Sequence, residues 1–339
     1  MLSTPPYLDD IRSQPAALQE LLGAGLDGDV TALLTGLDRF DRIIMTGMGA
    51  SLFAHQPAFL QLAAAGFPVW VLETSELLGA AGGLITGTSL LWITSQSGSS
   101  GEVGALLERL PRRRPTLLGV TNDTTSDLAL GADVVLELHS GEERTVGTRS
   151  YVNTLAAQAL AAGTATGQRP DPALFELPTQ LVDYLEHWDE QLESLARAVT
   201  GATVFIVGRG ASMAAVQTGA LIIKEASKVP AEGMSAPQFR HGPLELVGPD
   251  TTVIHLAGER TEIDLNHQLA LDVARAGGNS VWLASDSKGD DPCLPAISGA
   301  NALPIAEILP LQLLSVLLAE RSGVEPGAFR HIEKITRTL

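Results

Sequence analysis

Four serines and two glycines fall within SQSGSSGEV, Ser95 to Val103, directly behind the apolar run LLWIT. Hydroxyls in a glycine-rich turn can donate to an anion, the glycines let the backbone approach it, and the start of a helix adds unpaired N–H groups and a favourable dipole. GEVGALLERL reads as that helix, with Ser95, Ser97, Ser99 and Ser100 ahead of it as donors. A plain turn in which one serine caps the helix would use the same residues, so the stretch alone supports either reading. Ser51, just after Gly49 in GMGAS, ends a second apolar run and is expected to face the same crevice.

The elements that would position these residues occur twice. DRIIMTGMGASLFAHQPAFLQL (41–62) and ATVFIVGRGASMAAVQTGALII (202–223) each read as a strand, a glycine turn and a helix, with Gly47-x-Gly49-Ala50-Ser51 matched by Gly208-x-Gly210-Ala211-Ser212. FPVWVLETSELL (67–78) then corresponds to KVPAEGMSAPQF (228–239), TSLLWIT (88–94) to TTVIHLA (251–257), and PTLLGVTND (115–123) to NSVWLASD (279–286). Short apolar strands alternating with helical patterns predict two α/β domains with parallel sheets, joined by GTATGQRPDPALFELP (163–178). In open parallel sheets ligands bind at the carboxyl ends of strands. The two copies differ at that point: the serine-rich turn of the first is answered by GERTEIDLN (258–266).

Composition narrows the function classes. The chain has 339 residues, 45% hydrophobic and 18% charged, which fits two globular domains. A net charge of −17 predicts no nucleic-acid partner and no anionic membrane surface, while leaving phosphate binding by local donors open. The single cysteine, Cys293, excludes an internal disulfide and a cysteine metal cluster. MLSTPPYLDDIRSQP has no apolar signal region, and ILPLQLLSVLLA (308–319) is short for a membrane span and carries Gln312, so a cytoplasmic protein is expected. GMGASL and GRGASM lack the third glycine of a dinucleotide fingerprint, and no GxxxxGK[ST], GxSxG or HExxH occurs. No cofactor and no metal are expected.

SQSGSSGEV, KEASKVPAEGMSAPQFRHGPLELV and the tail EPGAFRHIEKITRTL together resemble the sugar isomerase (SIS) domain family. The similarity is to its double-SIS members, such as the isomerase half of glucosamine-6-phosphate synthase and related sugar-phosphate deaminases and deglycases. It runs from about Tyr7 to Leu339 and includes no glutaminase half, so ammonia drawn from glutamine is not expected. The resemblance implies an α/β fold of two tandem SIS domains, each a parallel sheet between helical layers. The implied divisions are a helical leader (1–30), a first domain (31–165), a linker and helix (166–195), a second domain (196–322) and a tail over the active site (323–339).

By the resemblance, Ser51, Ser95, Gln96, Ser97 and Ser100 grip a sugar phosphate, with Ser100 in place of a threonine, and Gly49 and Thr148 line the substrate pocket. Glu225 falls on the general base that moves a proton between C1 and C2. His241 falls on the histidine that opens the sugar ring, reached from a neighbouring subunit, which implies a homodimer. Lys334 falls on the tail lysine that folds over the sugar. Ile222, where the family has lysine, Gln238, where it has glutamate, and the short segment GEERTVGTRSY (141–151), with Thr148-Arg149 for a Thr-Lys pair, depart from the pattern near the sugar. The implied function is C1/C2 proton transfer on a 6-phosphosugar, such as isomerisation or deamination of glucosamine 6-phosphate. The alternatives are a fructosamine-6-phosphate deglycase and a non-catalytic sugar-phosphate sensor.

Overall fold

The computed structural model describes residues 5–285 and 303–338; Cys293 lies outside them. The chain forms two compact units. One comprises Ala17–Glu142, Arg149–Pro170 and His331–Leu339, the other Met1–Ala16, Glu143–Thr148 and Asp171–Arg330. The leader up to Ala16 thus belongs with the second repeat and its remainder with the first, and the tail passes to the first repeat at His331.

In the first of these units, β1 (Arg42–Gly47), β2 (Val69–Glu73), β3 (Ser89–Thr94), β4 (Thr116–Thr121) and β5 (Val134–Glu137) form a parallel sheet in the order β2-β1-β3-β4-β5. In the second, β6 (Thr203–Gly208), β7 (Ala231–Ser235), β8 (Thr251–Leu256) and β9 (Asn279–Leu283) repeat the arrangement as β7-β6-β8-β9. Strands covered by helices on both faces read as unbroken apolar runs, and every residue of β3 and of β8 is buried. The strand order reverses between β1 and β3, and again between β6 and β8. At such a switch point the connections leave in opposite directions and open a crevice at the strand ends.

Pairing corrects the alignment of the repeats by one residue. Arg42 stands beside Ser89, and Thr203 beside Thr251, so Ser89 rather than Thr88 corresponds to Thr251. Likewise Ile43 pairs Val69, and Val204 pairs Ala231, so Val69 corresponds to Ala231.

The helices used below are α1 (Pro6–Arg12), α2 (Gly101–Glu108), α3 (Arg149–Ala165), α4 (Met213–Ile222), α5 (Ile263–Arg275) and α6 (Leu303–Arg321). Helix covers both ends of the expected linker: α3 runs to Ala165, and Asp171 caps a helix Pro172–Glu186 by accepting from the Ala173 N–H, with Pro172 at its first position. The late apolar run is also longer than its core suggests. α6 has 19 residues and is long and apolar enough to cross a membrane, but 94% of that apolar window is buried inside the chain. Its polar residues have partners there: Gln312 accepts from Gln14, and Ser315 bonds Tyr7 of α1.

The two cores are built alike. Ile44, Leu91, Ile93, Leu117, Val103 and Leu106 pack together in the β1–β5 unit. Phe205, Val207, Val253, Leu269 and Val273 do so in the β6–β9 unit, where the Phe205 and Phe239 rings meet edge to face at 5.2 Å.

Candidate functional site

The serine turn occupies the switch point of the β1–β5 sheet. Ser95 follows the last residue of β3, and α2 starts at Gly101 with Ser100 as its cap. Ser95 Oγ accepts from the Gly98 N–H (3.2 Å), Ser97 Oγ from the Ser99 N–H (3.3 Å) and Ser100 Oγ from the Val103 N–H (3.4 Å). A hydroxyl that accepts one such bond keeps its own proton for donation, so three hydroxyl donors are fixed by the backbone that carries them. Gly98 makes the turn with φ of 62°, and an added Cβ would fall 2.0 Å from Ser126 Oγ, so a side chain fits here neither in conformation nor in space. The Gln96 carbonyl accepts from Thr121 Oγ1 and the Asn122 N–H, tying the turn to the end of β4.

Gly49 (φ 51°) turns the chain from β1 into the short helix Ala50–Phe53, which carries Ser51 half-buried beside the β3 end. Beneath it His55 is fully buried, and burial pulls it down to about 4. The neutral ring donates from Nε2 to the Thr46 carbonyl at 3.2 Å. The tail reaches this unit as well: the Gly101 N–H at the start of α2 donates to the Thr336 carbonyl at 2.9 Å, two residues after the half-buried Lys334.

In the β6–β9 unit α4 does not end as a regular helix. Ile223–Ser227 is one π turn, which widens the helix by a residue and is a frequent device at functional sites. It holds Glu225 half-buried between the exposed Lys224 and the buried Ala226. Lys228 closes the turn in the left-handed conformation (φ 62°), and its Nζ donates to the carbonyls of Glu225 and Ala328. The Gly327 N–H donates to the Ala226 carbonyl. Near this turn lies Tyr7, fully buried, its hydroxyl 2.9 Å from Ser315 Oγ. Burial raises the Tyr7 phenol, and the charges of Glu225, Glu143 and Asp10 raise it further. Sequence reasoning singled out neither Lys228 nor Tyr7. The only signal for either was a lysine three residues after Glu225 and an aromatic in the leader.

His241 ends the helix Ala236–Arg240 and is exposed, anchored by buried Phe239 and by the Arg240–Asp272 ion pair (2.6 Å). It lines a cavity of about 460 Å³ with Met213, Gln217, Met234, Ser235 and Gln238, and Glu225 is not among the lining residues. Thr148 is fully buried, its N–H and hydroxyl both donating to Glu143 Oε1 at 2.7 and 2.9 Å. Of the expected site residues, the β1–β5 unit therefore gathers Gly49, Ser51, Ser95, Gln96, Ser97, Ser100 and Lys334, and the β6–β9 unit holds Glu225, His241 and Thr148. Ile222 is buried. Among the described residues no three His, Cys, Asp or Glu side chains are grouped to hold a metal ion.

The SIS domain signature matches residues 37–163 and 201–318, each span enclosing one of the two sheets. The chain belongs to the SIS domain family. It is homologous to the glutamine–fructose-6-phosphate aminotransferase (isomerizing) of Pyrococcus horikoshii, 30% identical over 348 residues that take in 96% of this chain and 56% of that protein. The chain thus spans about half the length of the curated relatives it matches. The C-terminal domain of glucosamine-fructose-6-phosphate aminotransferase from Francisella tularensis shares the fold, with a TM-score of 0.83 at 20% identity over 96% of this chain and 98% of that one. So does glucosamine-6-phosphate deaminase from Thermotoga maritima, with a TM-score of 0.79 at 20% identity over 98% and 100%. The two parallel-sheet α/β domains read from the repeat, and the tandem SIS architecture that the resemblance implies, are the ones observed.

Two buried groups of the β6–β9 unit give stability a pH signature. Burial pulls His255 down from 6.5 to about 3, and burial pushes Glu307 up from 4.5 to about 8, although it accepts from Ser212 Oγ at 2.7 Å. Between pH 6.5 and 8 only the folded chain holds the Glu307 proton, so stability falls as pH rises, by about 1.4 kcal/mol per pH unit. Between 4.5 and 6.5 only the unfolded chain protonates at His255, which offsets the Glu307 effect, and at His55 of the other unit, so stability falls as pH drops below 6.5. Glu307→Gln is expected to abolish the loss between pH 6.5 and 8, about 2 kcal/mol, in urea unfolding at the two pH values. A variant that loses as much stability as the parent across that window would refute the assignment.

Proposed function

We propose that the chain catalyses proton transfer between C1 and C2 of a 6-phosphosugar, as an amino-sugar phosphate isomerase or deaminase acting on glucosamine 6-phosphate or fructose 6-phosphate. The observation that carries this reading is the serine turn. Three backbone-held hydroxyls and a helix start converge at a sheet switch point, and such a set offers an anion dipoles and protons without any cationic side chain. Ser51, Ser95, Gln96, Ser97 and Ser100 grip the phosphate, and Gly49 leaves room for it. Glu225 is the base, and a half-buried carboxylate on a π turn is supported backbone and side chain alike for that work. His241 opens the ring and Lys334 covers the sugar; Thr148 shapes the pocket through its bonds to Glu143. No cofactor takes part.

The test is proton NMR of the protein in D₂O with glucosamine 6-phosphate and then fructose 6-phosphate. Exchange at C1 or C2 with ammonia released marks a deaminase, and exchange without ammonia an isomerase. Binding with no exchange on either sugar leaves a sugar-phosphate sensor in its place.

The active form is a homodimer, with His241 serving the partner's Glu225. Its exposure at the rim of a cavity that Glu225 does not line favours this arrangement. Glu225→Gln and His241→Asn, each inactive alone, are expected on mixing to recover about a quarter of the parent activity, because half the reassorted two-fold dimers carry one intact site. No recovery after demonstrated subunit exchange would place both residues in one protomer's site.

A further inference from the structure

The serine turn has a counterpart in the β6–β9 unit, and that counterpart already holds an anion of its own. Strand pairing fixes the correspondence. Ser89 stands beside Arg42 as Thr251 stands beside Thr203, and the Ser95 N–H donates to the Val120 carbonyl as the Ala257 N–H donates to that of Leu283, each at 3.0 Å. Counting on from these pairs, Ser100 matches Glu262. Each is the residue just before the next helix, Ser100 capping α2 and Glu262 preceding α5. Gly210 turns at φ of 50°, as Gly49 does at 51°. The two crevices therefore share strand register and the glycine turn behind the first strand, while their loops differ, Ser100 being extended and Glu262 helical; a hydroxyl in one is answered by a carboxylate in the other.

The Glu262 carboxylate lies on the glycines of the crevice. Its Oε1 is 2.6 Å from where a Cβ on Gly210 would stand, and its Oε2 is 2.8 Å from the corresponding point on Gly258. A carboxylate can approach two strand ends this closely only because both residues lack a side chain. The Glu259 N–H donates to Oε2 at 3.3 Å. Burial holds the carboxyl above the usual carboxylate range, with the charge of Arg209 opposing. Ser212, the match of Ser51, is fully buried, and its hydroxyl is engaged by Glu307. Of the four serines of the gripping set, Ser51 is thus answered by a hydroxyl bonded into the core, and Ser95, Ser97 and Ser100 by Ala257, Glu259 and Glu262.

We infer that Glu262 is a built-in carboxylate plug, filling in the β6–β9 unit the position that phosphate takes in the β1–β5 unit, and so restricting the chain to one phosphosugar. The inference rests on the proposed phosphate grip of Ser95–Ser100. A second anion would meet a like charge already bound to the Glu259 N–H, a repulsion strong at contact distance in a half-buried site.

Calorimetric titration of fructose 6-phosphate into the parent, Glu262→Ser and Glu262→Gly tests it. Serine restores the residue found at position 100, and glycine empties the position should serine disturb the start of α5. The expected result is about one equivalent bound by the parent and about two by either folded variant, with Ser97→Ala added to Glu262→Ser removing the original equivalent and sparing the new one. Folded variants that gain no equivalent over the parent overturn the plug, as does a parent that already binds two. A parent that binds none counts against the serine turn as a phosphate grip, and a gain of one equivalent in the variants still supports the plug.

Discussion

Glu225→Gln is expected to slow C1/C2 deuterium exchange on the bound sugar by about 10²–10⁴-fold while leaving its affinity unchanged. Glutamine has the shape of glutamate and can fill the same half-buried place on the π turn, but it cannot take a proton. The turn is closed through backbone carbonyls: Lys228 Nζ bonds those of residues 225 and 328, and the Gly327 N–H bonds that of Ala226. Removing the charge should therefore separate chemistry from architecture, which a substitution at Lys228 would not do. Titration calorimetry and exchange NMR on the same preparation read the two quantities. Exchange at the parent rate would remove Glu225 as the base. Loss of binding together with exchange would make it a ligand-holding group instead.

Much of this layout was legible in the sequence because it is written in glycine positions and buried strands. GMGAS and GRGAS mark a turn whose φ near 50° a side chain resists, and IIM and FIV are unbroken apolar runs because helices cover both faces of a parallel sheet. That continuity also explains the alignment error of one residue. A strand buried on both faces has no alternation to fix its register, so TSLLWIT slid against TTVIHLA until hydrogen bonding decided. The linker was overextended for a different reason: Asp171-Pro172 counts as loop composition, yet it is also a cap followed by a residue pre-set for the first helical turn. The docking of the leader with the second repeat, through Tyr7 and Gln14 on Ser315 and Gln312, joins residues some 300 apart in sequence. No local pattern encodes such a contact. Glu262 was hidden most completely, since GERTEIDLN is an ordinary polar turn until its carboxylate is seen lying on two glycines.

Ser97→Ala is expected to weaken phosphosugar binding by about 10–150-fold, the loss of one hydrogen bond of about 1.5–3 kcal/mol to a charged group, without changing the melting temperature. Ser97 Oγ accepts from the Ser99 N–H, a bond within the half-buried turn that ties no helix or strand, so its removal leaves the fold alone. Ser100→Ala should weaken binding comparably and also cost about 1 kcal/mol of stability, because Ser100 caps α2 through the Val103 N–H. Ser100→Thr, which keeps both the cap and the hydroxyl proton, should behave as the parent. The three variants separate the two readings that the bare stretch SQSGSSGEV allowed. A turn whose serine merely caps a helix would lose stability in Ser100→Ala and show no change in ligand affinity in either alanine variant. A turn built to hold a phosphate loses affinity at position 97 with no structural cost, and that pairing of outcomes is the one a structural role cannot produce.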